Sequence, residues 1–190
     1  MQLRVHEKAE HDTEDSVQEG RNGPFNKTGG ITCSPGNGNS HMMAGMIPNC
    51  IAYDPTFAYE IAVIVQDGMR RMFQEGEDVF YYLTVMNEQY EMPPMPEGVR
   101  DGILKGMYRF RTSAAAKPKA RAQLLGSGAI LNEVLKAQVI LGEQYQVAAD
   151  VWSITSYKEL HTDALDCDRW NRLHPGRKPH HSWITQSLQG

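Results

Sequence analysis

The sequence predicts an α/β protein built of two consecutive units. Each unit has an apolar strand, an amphipathic helix and a second apolar strand in that order, over residues 47–85 and again over residues 123–156. A helix between two apolar strands is typical of a parallel crossover. The segment Arg111–Ala122 between the units consists of small and basic residues with one proline, which predicts a linker.

The first unit begins with the apolar run Ile47–Tyr53, which predicts a buried strand. Asp54 then suits a helix N-cap and Pro55 the first helical position, where the missing N–H costs nothing. The helix is expected to end near Glu75, and Asp78–Val85 predicts a central strand because it is dense in β-branched and aromatic residues. Apolar residues and one glycine at helical spacing predict its inner face: Phe57, Ile61, Ile64, Gly68 and Met72.

The second unit follows a proline-rich loop and a short helix or strand within residues 100–110. A strand leads into the glycine turn Gly126–Gly128, and a helix follows whose inner face is predicted to hold Ile130, Val134, Ala137 and Leu141. The turn lacks the rest of a phosphate-binding motif, so we expect simple turn chemistry. A domain with two recognisable strands cannot cover both faces of a sheet, so further elements are expected beyond both ends.

Composition excludes several classes of protein. The first 37 residues are polar without apolar periodicity, which predicts a disordered arm. A net charge of −4 argues against a nucleic-acid surface, and no apolar run is long enough for a membrane span. The N-terminus is charged and unlike a secretory signal. The three cysteines, Cys33, Cys50 and Cys167, form no paired motif, which favours a reducing, cytoplasmic location.

Three sets of residues are weighed as candidate sites. Cys50, His41 and Asp54 could form a nucleophile, base and orienting acid, but Cys50 lies in an apolar strand where inert packing is expected. The histidines of the C-terminal segment lack ligand spacing and predict a solvated tail: His174, His180 and His181. Trp170 is either a buried aromatic anchored by an Arg–Asp pair or a contact between subunits or domains.

The methionines are a fourth feature with more than one interpretation. We interpret them as core and loop packing rather than a functional stripe. The set comprises Met42, Met43, Met46, Met69, Met72, Met92 and Met95.

A family resemblance rests on the order of several motifs. "GNSHMMAGMIPNCIAYDPTFAYE", "NEQYEMPPMPEG", "QLLGSGAIL", "DVWSITSYKEL" and "DCDRWNRLHP" follow one another from about Gly38 to Pro175. Over this length the chain resembles the homodimeric bacterial type of pyruvate dehydrogenase, the decarboxylating component of the pyruvate dehydrogenase complex. "YDPTFAYE", "NEQYEMPPMPEG" and "WNRLHP" are the most specific of these strings.

The resemblance implies a transketolase-like α/β fold, with a partial pyrimidine-binding domain over residues 38–110 and a partial C-terminal parallel-sheet domain over residues 123–190. It implies oxidative decarboxylation of pyruvate with thiamine diphosphate and Mg²⁺, and acetyl transfer to a lipoyl group on the acetyltransferase component. It also implies a homodimer. The cofactor supplies the carbanion chemistry, and the protein supplies orientation and electrostatics.

The resemblance also implies where this chain departs from the family. His41 corresponds to a substrate-facing histidine and is the one candidate catalytic residue. Pro35 stands where the family has a second histidine, and Asn37 where an acidic residue is usual. The Gly-Asp-Gly motif that binds diphosphate and Mg²⁺ is absent from the sequence.

The segments at both ends drift from the family pattern. Residues 1–37 do not resemble the family, and the final "GRKPHHSWITQSLQG" departs from it as well. We therefore expect a truncated or frame-shifted piece of the enzyme that is inactive alone. The alternative is a non-enzymatic fragment that acts only in subunit association through exposed core faces.

Overall fold

The computed structural model describes residues 4–8, 39–86, 89–113 and 118–189. These residues form six strands and six α-helices, one of which continues into a π-helical turn; the strands and helices alternate except that the fourth strand leads directly into the fifth and the last two helices follow one another. The strands are β1 Arg4–Lys8, β2 Cys50–Tyr53, β3 Phe80–Met86, β4 Met107–Arg111, β5 Ala120–Gly126 and β6 Val147–Ile154. The helices are α1 Asn39–Gly45, α2 Ala58–Met69 with the π-helical turn Arg70–Gln74, α3 Arg100–Leu104, α4 Ile130–Tyr145, α5 Tyr157–Leu173 and α6 Trp183–Leu188.

The strands form two three-stranded sheets. The first has the order β1-β3-β2 and is parallel throughout, with Tyr53 of β2 opposite Leu83 of β3. The second has the order β4-β6-β5, in which β5 runs parallel and β4 antiparallel to β6. The predicted α/β class and the parallel crossover from β5 to β6 are confirmed. The central position predicted for β3 is confirmed as well.

The two sheets share buried side chains. The core of the first sheet contains Tyr53, Ile64, Tyr81 and Leu83 together with Ile103 and Tyr108, which belong to α3 and β4. A smaller cluster joins Phe57 from the start of α2 to Leu131 and Val151 of the second unit. The described parts of the two units therefore pack as neighbours across a common apolar boundary.

The first strand and helix begin later than the sequence predicts. The predicted strand Ile47–Tyr53 is only Cys50–Tyr53, because residues 46–49 turn instead and the Cys50 N–H donates to the Ile47 carbonyl at 3.2 Å. The prediction that Asp54 caps the helix is wrong, since the N-cap is Phe57. The Asp54 N–H donates to the Thr155 carbonyl at 2.7 Å, so a tertiary contact takes the place of the local cap.

The inner face of α2 agrees with the prediction, while that of α4 is rotated. Phe57, Ile64, Gly68 and Met72 are buried, and Ile61 packs against the core. In α4 the buried residues are Leu131 and Gln138, whereas Ile130 is 63% exposed. The rotation brings a polar residue inward because the Gln138 amide donates to the Ala149 carbonyl at 2.6 Å.

Segment boundaries differ at the N-terminus and between the units. Residues 4–8 form β1 and pair with β3, within the region predicted to be a disordered arm, while residues 9–38 lie outside the described residues. The predicted linker 111–122 is shorter, because β4 ends at Arg111 and β5 begins at Ala120. Because β4 pairs with β6, the second sheet includes a strand assigned by the sequence to the first unit.

The three histidines predicted to be solvated are exposed, but the C-terminal segment that holds them packs on the second sheet and is not a free tail. Trp183, at the start of α6, packs on the second sheet, and its indole N–H donates to the Met107 carbonyl at 2.9 Å. Trp170 is half-buried rather than buried, and its ring stacks on those of His174 and His180 at centroid distances of 4.6 and 3.7 Å. These histidine side chains are exposed but held by an aromatic stack.

The methionine prediction is correct only for Met72, which is buried. The other six side chains are exposed, including Met42 at 72% and Met46 at 76%. Residue type alone does not separate these cases, because apolar side chains also contribute much of a protein's accessible surface.

Candidate functional site

The candidate site lies at the carboxyl ends of the parallel strands of the first sheet. Asp54 directly follows β2, and Thr84 lies near the end of β3. The two strands are parallel neighbours, so their carboxyl ends meet at one edge of the sheet. Ligands of open α/β sheets bind at this edge. His41, on α1, lies against the same place.

A hydrogen-bond chain joins these three residues. The imidazole Nε2 of His41 lies 3.0 Å from the Thr84 hydroxyl, and this hydroxyl donates to Oδ1 of Asp54. The His41 ring also meets the Tyr82 ring edge-on, with 5.5 Å between centroids. Thr84 is 1% exposed, whereas His41 is half-buried. The hydrogen-bond chain thus runs from the Asp54 carboxylate through the buried Thr84 hydroxyl to an imidazole within reach of solvent.

The glycine turn of the second unit supports Asp54. The Gly128 N–H donates to the Asp54 carbonyl at 3.3 Å, and the Thr56 hydroxyl donates to the Gly128 carbonyl at 3.0 Å. Gly128 has φ of +51°, and a Cβ there would lie 3.2 Å from Oδ2 of Asp54. The predicted turn chemistry agrees with this arrangement, because the glycine lets the turn approach the carboxylate closely.

Tyr157 and Ser127 stand beside this turn. Their side chains are hydrogen-bonded. Burial raises the pKa of Tyr157, and the Asp54 carboxylate adds to the rise, while the Ser127 hydrogen bond opposes it. Residues from the ends of β2, β3, β5 and β6 therefore lie near one another at this edge.

Lys158 holds the segment that follows His41. Its ammonium donates to the carbonyls of Ala44 at 3.2 Å, Ile47 at 2.8 Å and Cys50. An ammonium has three N–H donors, so each can serve one of these carbonyls. The end of α1 and the turn into β2 are thereby fixed to the start of α5.

A second polar cluster lies deeper, around Glu60. Its Oε1 accepts hydrogen bonds from the hydroxyls of Tyr108 at 2.6 Å and Ser153 at 2.7 Å. Its Oε2 accepts from the backbone N–H groups of Thr56 and Phe57. Glu60 is fully buried, and burial raises the pKa of its carboxyl, while the hydrogen bonds oppose the rise. This cluster joins α2 to β4 and β6.

Cys50 does not take part in the hydrogen-bond chain of His41. It is 1% exposed and packs with Ala44, Ala52 and Tyr82. Burial raises the pKa of its thiol, and Lys158 opposes that effect. A raised pKa disfavours the thiolate that a nucleophile needs. The expectation that Cys50 is inert packing is confirmed.

No cluster among the described residues fits Mg²⁺, one of the two cofactors that the resemblance implies. Within residues 4–8, 39–86, 89–113 and 118–189, no group of three His, Cys, Asp or Glu side chains is arranged to hold a metal ion. Mg²⁺ needs carboxylate and other oxygen ligands around an octahedral site. We therefore derive no chemical step through Mg²⁺ or thiamine diphosphate.

The sequence predicted part of this arrangement. From the sequence, His41 and Asp54 were grouped only in the disfavoured triad with Cys50; in the structure Thr84 joins them and Cys50 is not involved. Thr84 and Glu60 were missed; the sequence shows Thr84 only as a polar residue within an otherwise apolar strand, and Glu60 only as a carboxylate within the first turn of an amphipathic helix. Lys158 was missed because its partners are backbone carbonyls over a hundred positions away. Pro35 and Asn37 lie outside the described residues.

Comparison with known proteins finds one family match for each of the two units. Residues 20–93 match the family of the pyruvate dehydrogenase E1 component middle domain, and residues 106–188 match the transketolase-like C-terminal domain family. The chain thus combines segments of two domain families of the transketolase-like class. The first match begins upstream of residue 38 and the second continues to residue 188, so both extend further than the sequence resemblance indicates.

Curated relatives match most of the length of this chain. Pyruvate dehydrogenase E1 components from Pseudomonas aeruginosa and Escherichia coli are 50% identical over 153 residues and 51% identical over 152 residues. Each alignment covers 80% of this chain and 17% of the relative, so the chain spans about a sixth of these proteins. The resemblance to the pyruvate dehydrogenase E1 component is thereby confirmed.

Similarity to solved structures is weaker. A transketolase mutant from Pichia stipitis aligns with a TM-score of 0.49 and 15% identity, over 86% of this chain and 20% of that one. A complex of the same enzyme with a sugar phosphate gives 0.47 and 14%, over 67% and 17%. Separately, no helix in the described part of the chain is long and apolar enough to cross a membrane.

Proposed function

We propose that this chain contributes the substrate-facing edge of a pyruvate dehydrogenase E1 component. The complete enzyme would decarboxylate pyruvate oxidatively with thiamine diphosphate and Mg²⁺ and transfer the acetyl group to a lipoyl group on its acetyltransferase partner. The observation that carries this proposal is the identity of about 50% to E1 components over 80% of the chain. The cofactor-binding residues would come from other parts of the complete protein.

His41 is the proposed contact with substrate. It lies at the carboxyl ends of the strands, is half-buried, and is held by a hydrogen bond to Thr84. An imidazole can donate a hydrogen bond to a carboxylate or keto oxygen or exchange a proton near neutral pH. A substrate such as pyruvate presents both kinds of oxygen. We therefore assign His41 the role of orienting the substrate.

The proposal extends to location and assembly. The complete protein would be a cytoplasmic homodimer, in line with the resemblance and with a sequence free of cysteine-pair motifs. The proposal includes that this 190-residue chain is inactive alone, because its sequence carries no match to the Gly-Asp-Gly motif with which the family binds diphosphate and Mg²⁺.

Cofactor binding tests the proposal that the chain is incomplete by itself. We expect isothermal titration of the 190-residue chain with thiamine diphosphate and Mg²⁺ to show no saturable binding at micromolar cofactor. Saturable binding would show that this chain carries its own cofactor site and would refute its proposed incompleteness.

A chimera tests the proposed activity directly. Residues 39–189 replace the matching segment of the Escherichia coli E1 component, and pyruvate decarboxylation is assayed. We expect activity, with His41→Ala lowering kcat/KM by roughly 10²-fold, a typical loss for a positioned acid–base group. His161→Ala is the matched control, because His161 is exposed on α5. A folded chimera unaffected by His41→Ala would refute the role of His41.

The second candidate is a non-enzymatic fragment that acts only in subunit association. Exposed apolar side chains favour it, among them Met42, Met46, Phe73 and Ile130, each more than 60% exposed. Light scattering after size-exclusion chromatography distinguishes the candidates. A concentration-dependent oligomer that Met46→Glu and Phe73→Glu dissolve would support association, whereas a clean monomer with cooperative unfolding would exclude it.

A further inference from the structure

We propose that Thr84 and Asp54 are positioning residues that fix the tautomer of His41, with the proton on Nε2 and the lone pair on Nδ1. The inference deepens the proposed function, on which its catalytic meaning rests, by naming the nitrogen that would face substrate. The tautomer itself follows from hydrogen-bond directions within this chain and can be measured without any enzyme activity.

The direction of the hydrogen bonds follows from Asp54, which lies at the acceptor end of the hydrogen-bond chain. A carboxylate only accepts hydrogen bonds, and a threonine hydroxyl has one proton. The Thr84 hydroxyl donates that proton to Oδ1 of Asp54. Its oxygen can then only accept from His41, whose Nε2 lies 3.0 Å away. Nε2 must therefore carry a hydrogen, and in the neutral ring Nδ1 is then the acceptor.

Contacts with several strands and loops fix the positions of Thr84, Asp54 and His41. The directions of the hydrogen bonds between them are therefore stable. Thr84 is almost fully buried in β3. Asp54 donates its N–H to the Thr155 carbonyl and accepts at its own carbonyl from Gly128, so its backbone is fixed by the second unit. The His41 ring is limited on one side by Tyr82, at 5.5 Å between centroids.

The tautomer determines which ring nitrogen of His41 takes part in the reaction. In the substrate-facing role, Nδ1 is the ring atom that takes up a proton from solvent. The imidazolium so formed donates from Nδ1 to a carboxylate or keto oxygen of the substrate, while the Nε2–H remains directed at Thr84 and no proton passes to Asp54. The Asp54 carboxylate then stabilises the imidazolium through the intervening hydroxyl, so the Thr84–Asp54 pair acts only through His41.

Nuclear magnetic resonance tests the tautomer. In the ¹⁵N-labelled 190-residue chain, long-range ¹H–¹⁵N correlation distinguishes protonated from unprotonated ring nitrogens, and His41→Gln identifies the His41 signals. We expect the Nε2–H form to predominate. A predominant Nδ1–H form in the unsubstituted chain would overturn the proposal, with no need for any further variant to fold.

Three variants at threonines separate positioning from structure. Thr84→Val removes the hydroxyl at nearly constant shape, and we expect the tautomer ratio to shift by roughly 2- to 10-fold, the weight of one hydrogen bond. Thr84→Ser should restore the original ratio. Thr162→Val is the control, because Thr162 is exposed on α5. An unchanged ratio in a folded Thr84→Val chain would overturn the proposal.

The outcomes separate this inference from the proposed function. If the tautomer is Nε2–H but His41→Ala does not lower the activity of the chimera, the proposed substrate role of His41 fails and the positioning role of Thr84 and Asp54 stands. If the chimera needs His41 and the tautomer is Nδ1–H, the substrate role stands and the assignment of Nδ1 fails.

Discussion

Two carboxylates six positions apart, Asp54 and Glu60, have opposite surroundings. Glu60 is fully buried. One of its oxygens accepts hydrogen bonds from the hydroxyls of Tyr108 and Ser153, and the other accepts from the Phe57 N–H, so together they bind groups from both units. Asp54 is half-buried at a sheet edge and is linked to a partly accessible imidazole through Thr84. A buried, fully satisfied carboxylate fixes one arrangement. A carboxylate at the edge can instead set the properties of a neighbour that meets a ligand.

The largest expected effect comes from the buried carboxylate. Glu60→Ala leaves two hydroxyls and two N–H groups without their acceptor, so we expect the free energy of unfolding to fall by about 3–4 kcal/mol. Urea denaturation followed by circular dichroism measures it. Glu133→Ala is the control, because this carboxylate makes only an exposed ion pair with Lys136, and a similar loss there would contradict the comparison.

The next effect concerns the anchor behind the edge site. Lys158→Met removes three donors from the carbonyls of Ala44, Ile47 and Cys50, and we expect a loss of about 1.5 kcal/mol. Amide hydrogen exchange in α1 should become faster. Lys136→Met provides the control on an exposed helix face. Unchanged exchange in α1 would mean that Lys158 does not hold His41's helix.

The pH dependence of stability sharpens the comparison further. Burial raises the pKa of Glu60. The stability that this shift contributes is present below the ordinary glutamate pKa of about 4.3 and is lost as the pH rises through the folded-state pKa. Glu60→Gln cannot titrate, so wild-type stability relative to this variant should fall with rising pH, by at most about 1.4 kcal/mol per pH unit.

Urea unfolding at a series of pH values from acid to neutral measures this difference. Glu133→Gln is the reference variant, because it removes an exposed carboxylate instead of a buried one. A wild-type stability that rises with pH relative to Glu60→Gln would show that the hydrogen bonds outweigh burial at Glu60.

The smallest effect is expected at the turn that supports Asp54. Gly128→Ala places a Cβ at positive φ and 3.2 Å from the Asp54 carboxylate, so we expect a loss of about 1 kcal/mol. Gly142→Ala is the opposite control, because Gly142 lies in α4 with open space around it and alanine should stabilise the helix by about 0.5–1 kcal/mol. If the two substitutions change the free energy of unfolding in the same direction, the argument that the glycine turn closely approaches Asp54 would fail.

Local sequence pattern predicts the strands and helices but not their tertiary contacts. The crossover from β5 to β6 follows from periodicity, which is a local property. The start of α2 was misplaced because Asp54 makes contacts with residues far along the chain, and those contacts outweigh its preference for a helix cap. β1 was missed because its residues RVHEK are mostly charged, so the pairing partner rather than apolar content defines the strand.

The candidate site was predictable only in part, for a related reason. His41 could be proposed from a resemblance, whereas Asp54 was expected to cap a helix and was considered at a site only in the disfavoured triad with Cys50. Thr84 and Lys158 act through hydrogen bonds that span 30 or more positions, to side chains or to backbone carbonyls. No sequence period carries that information, because such contacts depend on how the two sheets pack.

The placement of β4 determines how this polypeptide could be divided. A protease cut within residues 112–119 would leave β4 covalently attached to the first unit while it remains paired with β6 of the second. The two pieces would be interlocked by a shared sheet, as in a split reporter, and would stay together after cleavage. Independent halves require a break ahead of Met107 instead.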